Sequence, residues 1–172
     1  MKNVNLQNVE EAKDFEKLPA GGYVCGITAV EDVPDKEYLR IEFDIAEGDF
    51  KNYYRDLYQS KSFWGGNFIK SYKDKALPFF KGFITSVENS NPGYKFDYDE
   101  STLKRKFVGL VLGEEEYLGN DEVVKTRLYV AQIHSVDKIR EGKFEVPKLK
   151  KLAQDNSGFQ PVGNVNDDDL PF

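Results

Sequence analysis

The clearest period along the chain is two. From Tyr38 to Ile45 apolar and polar residues alternate, which predicts a strand with Leu39, Ile41, Phe43 and Ile45 facing a core and Tyr38, Arg40, Glu42 and Asp44 facing out. Upstream, the turn signal Pro19-Ala20-Gly21-Gly22 is followed by the β-rich run Tyr23 to Val30, which predicts a first strand. After a turn at Glu47-Gly48-Asp49, Tyr53 to Gln59 reads as a third strand. The period then becomes helical. Leu77, Phe80, Ile84 and Val87 predict a helix over Ala76 to Ser90, with Pro78 admissible in its first turn and Asn91-Pro92-Gly93 as its stop. Lys106 to Leu112 and Lys125 to Val136 predict two further strands, joined through Glu114 to Asp121, whose Gly119-Asn120-Asp121 tip suits a hairpin. Near the start, Val9, Ala12, Phe15 and Leu18 fall at helical spacing and predict a short helix or an ordered arm.

Three strands, a helix and two strands is the order of an OB-fold, a mainly β, five-stranded Greek-key barrel with its helix between strands three and four. The expected organisation is an N-terminal arm over residues 1–18, a barrel over 19–152 and an acidic tail over 153–172. Lys138 to Leu152 reads as basic and irregular. Beyond Ala153 the composition turns to Gln, Asn, Ser, Gly, Pro and Asp, which predicts a disordered tether.

Charge sharpens this division. The formal net charge is −6, but from Ala153 onward there are four acidic residues and no Lys or Arg, so the body carries only −2. A single cysteine, Cys25, excludes an intramolecular disulfide framework and a cysteine-cluster metal site, and its apolar surroundings predict a small buried hydrophobe. No stretch approaches the roughly 20 apolar residues of a membrane span. These features predict a soluble protein of the reducing cytoplasm, with no membrane partner.

The chain holds 10 Tyr, 13 Phe and one Trp, more rings than a core of this size requires. Between residues 51 and 81 seven basic side chains face only Asp56 and Asp74, interleaved with Tyr53, Tyr54, Tyr58, Phe63, Trp64, Phe68 and Tyr72. Single strands are held non-specifically by this combination, with rings stacking on bases at roughly 1–3 kcal/mol each and cations following the phosphates. The expected contacts are Tyr53 and Arg55 on one face of strand three, Tyr38 and Arg40 on strand two, and Tyr58, Lys61, Trp64, Lys70, Tyr72, Lys73 and Lys75 in the segment beyond. Phe63, Phe68, Phe79, Phe80 and Phe83 are assigned to the core. Two further basic clusters are Lys104-Arg105-Lys106 and the group from Lys138 to Lys151 around the root of the tail.

The chain ends Asp167-Asp168-Asp169-Leu170-Pro171-Phe172, an acidic run closed by an apolar residue with a free carboxylate. This tip resembles that of bacterial and phage single-stranded DNA-binding proteins, which end in Asp-Asp-Asp, a branched aliphatic residue, Pro and Phe. The resemblance implies a docking peptide. Phe172 and Pro171 would enter an apolar pocket of a replication, recombination or repair enzyme, the Phe172 carboxylate would meet a cation, and Asp167, Asp168 and Asp169 would meet a basic rim. Leu170 stands where many of those proteins have Ile. The stretches Leu18 to Cys25, Phe43 to Gly48, Phe79-Phe80-Lys81 with Ser90 to Tyr94, and Gly113 to Tyr117 are similar to a family of small proteins encoded by phages and integrated elements of Gram-positive bacteria.

The chemistry expected to be absent is equally definite. One His and one Cys do not supply a nucleophile, a base and an orienting group, so no catalytic residue, cofactor or metal is assigned. His134 reads as a surface or partly buried strand residue. A nuclease built on Glu114, Glu115 and Glu116 is the weakest reading, because consecutive strand residues point alternately. The expectation is therefore a non-enzymatic binder of single-stranded DNA in phage or mobile-element replication and recombination. RNA is a second ligand for such stacking grooves, and self-association is left open. The alternative is a β-barrel adaptor that mimics the docking tip without binding DNA, favoured by the near-neutral body and by Glu42 and Asp44.

Overall fold

The computed structural model describes residues 2–9 and 16–152. Its strands β1 (Gly21–Val33), β2 (Tyr38–Ile45), β3 (Asn67–Ser71), β4 (Phe107–Leu118) and β5 (Val124–His134) form one antiparallel sheet in the order β3-β2-β1-β4-β5. With helices α1 (Tyr53–Lys61), α2 (Leu77–Ser90) and α3 (Val136–Arg140), the described chain is mainly β. β1 serves two neighbours. Residues 21–26 pair with β4 and residues 25–33 pair with β2, and a bulge between Ile27 and Ala29 adds twist close to where the pairings hand over.

The alternation seen in the sequence becomes the core. Cys25, Ile27, Ile41, Phe43, Ile45, Val108, Leu110 and Leu112 are each at most 2% exposed, and burying such side chains contributes about 1.5–3 kcal/mol apiece for the larger ones. α2 lays Phe83, Ile84 and Val87 on this core and contacts β3, β4 and β5, so it lies between the two edge strands. Pro78 sits in its first turn, where a missing N–H costs nothing. On the other side of the sheet a smaller cluster joins Val24 and Val111 to Val136 and Ile139 of α3, with Phe144 against it. Gly21 and Gly22 begin β1 rather than forming a turn, and the Phe144 ring occupies the space a side chain at Gly22 would need.

Several expectations are corrected. Tyr53 to Gln59 is not the third strand; it lies in α1, and β3 follows at Asn67–Ser71. The cause is Asp44. Instead of facing solvent it is buried, accepting backbone N–H bonds from Tyr54 at 2.9 Å, Arg55 at 3.1 Å and Ile45 at 2.8 Å, so it satisfies N–H groups that the first turn of α1 would leave open. Burial raises the Asp44 carboxyl pKa, against the lowering pull of those donors. Tyr38, also expected outside, is buried between Val33 of β1 and Ser71 of β3. β4 runs on through Glu114, Glu115 and Glu116. There Glu115 pairs with Arg127 at 2.9 Å, and Glu116 accepts the Leu152 N–H at 3.0 Å.

The stretch 138–152 is not irregular throughout. It finishes α3, then runs back until Lys150 pairs with Glu115 along the part of β4 that extends beyond β1. The Glu116 N–H donates to the Lys150 carbonyl at 2.8 Å, and the Lys150 N–H to the Glu114 carbonyl at 3.0 Å. Residues 2–9 are exposed and carry no helix or strand. Ala12 and Phe15 of the N-terminal arm lie outside the described residues, as do the tail and its tip over 153–172.

Candidate nucleic-acid interface

α1 and the loop after it carry the largest part of the aromatic and basic window. Tyr54 is the buried side chain of this helix, edge-on to Phe43 with ring centroids 5.5 Å apart, which seats α1 on β2. Arg55 and Tyr58 follow one turn apart, and both are exposed. The helix ends at Lys61, a cation suited to the negative end of the helix dipole. Ser62, in the left-handed region at φ 53°, turns the chain.

Phe63 and Trp64 come next. Phe63 is 62% exposed. Trp64 is half-buried, its Nε1–H donating to the Gly66 carbonyl at 3.0 Å. Its ring lies 6.4 Å from Tyr54 and 6.2 Å from Tyr58. Gly66 is required here because a side chain would strike the Phe43 carbonyl and the Tyr54 ring. Tyr58 and Trp64 therefore form the centre of an aromatic edge, with the exposed Phe63 next to Trp64 in the loop and the exposed Arg55 and Lys61 on the same helix as Tyr58. The Arg55–Asp56 ion pair is long at 3.7 Å and exposed, so it restrains Arg55 little.

The remaining expected contacts are dispersed. Arg40 is exposed on the outer face of β2, between Glu31 of β1 and Ile69 of β3. Tyr72 is half-buried, edge-on to Phe80 at 6.1 Å, with its O–H donating to Asp32 at 2.7 Å, and that bond pushes its pKa up to about 12. Lys73 donates its backbone N–H to Ser71 Oγ at 3.2 Å, and Lys75 is exposed in the 3-10 turn 74–76.

Two expected contacts, Tyr38 and Lys70, are buried, and a third, Tyr53, is half-buried against the core. Tyr38 is buried as described. Tyr53 is packed 5.2 Å from Tyr54 and 6.2 Å from Phe50, its hydroxyl accepting the Leu18 N–H at 3.3 Å. It does not share a face with Arg55, since neighbours two apart on a helix diverge. Lys70 is 3% exposed, opposite Leu39 on the core side of the β2–β3 pair, and burial pushes its amine pKa down to about 8.

The sequence reading missed Phe63 and Phe79, assigned to the core but 62% and 48% exposed. For Phe63 a signal was present in its position just ahead of Trp64-Gly65-Gly66, a loop signature rather than a core one. It also missed a cleft of about 510 Å³ between α2 and β5, whose walls include Phe79, Lys70, His134 and Lys138. His134 is half-buried there, with Nε2 2.9 Å from Gln132 Oε1, and burial together with nearby Lys138 lowers its pKa.

The other basic clusters are partly engaged. Lys106 lies 4.9 Å over the Tyr94 ring and Lys150 4.3 Å over the Tyr129 ring. Arg140 makes a two-pronged ion pair with Glu47, and Lys143 pairs with Glu141 at 2.9 Å. Among the described residues no three His, Cys, Asp or Glu cluster as metal ligands would, and no helix is long and apolar enough to cross a membrane. No family model matches the chain, and no curated protein matches it.

Proposed function

We propose that this protein binds single-stranded DNA without sequence preference and serves DNA replication or recombination in a phage or mobile element. The observation that carries the reading is the α1 edge. The adjacent rings of Tyr58 and Trp64, with exposed Phe63 next in the loop, offer platforms for bases, and exposed Arg55 and Lys61 on α1 offer cations for phosphates. The strand order β3-β2-β1-β4-β5, with α2 between β3 and β4 in sequence, supports an OB-fold reading in which β3 and β5 are the closing pair of a Greek-key barrel. In that reading α1 is an addition between β2 and β3, and it moves the ligand surface off the strands and onto a helix. The tip, Asp167 to Phe172, would dock partner enzymes.

The test is a fluorescence-anisotropy titration of labelled oligo-dT against a duplex of equal length, at low and moderate salt. Tight, salt-sensitive binding that prefers the single strand supports the reading. Absence of binding at low salt contradicts it.

The adaptor reading keeps one observation in its favour. Arg40 is flanked by Glu31 across the β1–β2 pair and shares its face with Glu42, so the outer side of β2 is not uniformly positive. If no oligonucleotide binds, the tip becomes the main functional element.

A further inference from the structure

The cleft between α2 and β5 contains none of the residues of the α1 edge. Lys70 reaches it from β3, His134 from the end of β5 and Lys138 from α3, while Gln132 and Asn89 add amide groups and Phe79 an exposed ring. No carboxylate is among the residues that line it. In a chain with 30 acidic and 24 basic side chains, a recess with two lysines, a histidine and no acid is a departure from the general surface.

A recess focuses the field of its charges, and a cation held in a low-dielectric wall attracts an anion more strongly than one in water. Lys70, 3% exposed, contributes one such cation to the wall of the cleft. Inorganic anions would use only the cations and amides. Phe79, 48% exposed on the α2 wall, suits a planar ring.

We propose that this cleft holds one nucleotide unit of a single strand, its phosphate on Lys70, His134 and Lys138 and its base against Phe79. The proposal rests on the single-strand reading only for the source of the nucleotide, and it adds a second anchoring point to the α1 edge.

The experiment is titration of the full chain with dTMP, thymidine and inorganic phosphate, followed by backbone amide NMR shifts, together with anisotropy of labelled oligo-dT. The expected result is that dTMP shifts the amides of residues 131–138 and binds about tenfold or more tightly than thymidine. Lys138→Glu, at an exposed position, should weaken both dTMP and oligo-dT about tenfold, and Asn89→Asp should do the same from the opposite wall. Unmoved amides at millimolar dTMP, or unchanged dTMP affinity in both variants, would overturn the proposal. Phosphate binding as tightly as dTMP would overturn its nucleotide part. If oligo-dT binds Lys138→Glu normally but loses affinity for Phe63→Ala, the cleft fails and the α1 reading stands. If dTMP binds the cleft while oligo-dT binds nowhere, the nucleotide site stands and the single-strand reading fails.

Discussion

Asp44 and Tyr54 are joined by a 2.9 Å hydrogen bond from the Tyr54 backbone N–H to a buried carboxylate oxygen, linking the end of β2 to the first turn of α1. The aromatic edge of α1 therefore depends on a side chain that does not touch it. Asp44→Ala would leave three backbone N–H groups without their acceptor, and a buried donor left unmatched costs about 1–3 kcal/mol. The expected loss is about 2–4 kcal/mol in urea denaturation, with oligo-dT affinity falling as α1 loosens. Asp44→Asn keeps one acceptor oxygen and should cost less. Equal stability of Asp44→Ala and the parent would show that α1 holds its place by packing alone.

Phe63→Ala addresses the edge directly. Phe63 is 62% exposed, so stability should change little, while loss of one stacking ring should weaken oligo-dT binding by about 1–3 kcal/mol. Arg55→Ala should lower the slope of log affinity against log salt by about 0.7, the share of one phosphate contact on a single strand. Titrations of both variants at several salt concentrations check these outcomes.

Much of the fold was readable because its periods are clean. β2 and α2 appear where alternation and three-to-four spacing place them, and Cys25 is buried as its apolar neighbours imply. α1 was missed because a tyrosine-rich run fits a strand by composition, whereas the side chain that supports its first turn lies ten residues upstream in β2. Asp44 was misplaced for the same reason, since alternation puts it outside until α1 folds over it. Lys70 shows the limit for a site. Its positive charge is legible, but its direction follows from pairing opposite Leu39, and that register was invisible while β3 was assigned to Tyr53–Gln59.

Lys70 makes stability depend on pH in the alkaline range. Its folded-state pKa of about 8 lies below the ordinary 10.5, so between these values the unfolded chain binds a proton that the folded chain does not, and stability rises with pH. The gap corresponds to about 3 kcal/mol at most. Cys25, Tyr23 and Tyr54, whose pKa values burial raises, pull stability the other way from about pH 9 upward, so the readout is the stability of the ligand-free parent minus that of Lys70→Met in urea, which should rise across this window. A difference that stays constant from pH 8 to 10.5 would refute the burial of the amine.

Gly22 and Phe144 give a prediction remote from the DNA edge. Gly22→Ala places a methyl group where the Phe144 ring lies, and overpacking of this kind costs about 1–3 kcal/mol. The segment after α3 should loosen first, seen as faster amide exchange at Lys150, whose N–H donates to the Glu114 carbonyl. A second substitution, Phe144→Ala, should restore much of the loss in the Gly22→Ala background. A double variant no more stable than Gly22→Ala alone would contradict this account.

The most direct measurement uses the single tryptophan. Trp64 is the only indole in the chain and it lies in the aromatic edge, so its fluorescence reports on that surface alone. Titration with oligo-dT should quench Trp64 in step with the rise in anisotropy of the labelled strand, while equal-length duplex leaves the signal nearly unchanged. Binding of oligo-dT with no change in Trp64 emission would place the strand elsewhere and contradict the assignment of the α1 edge.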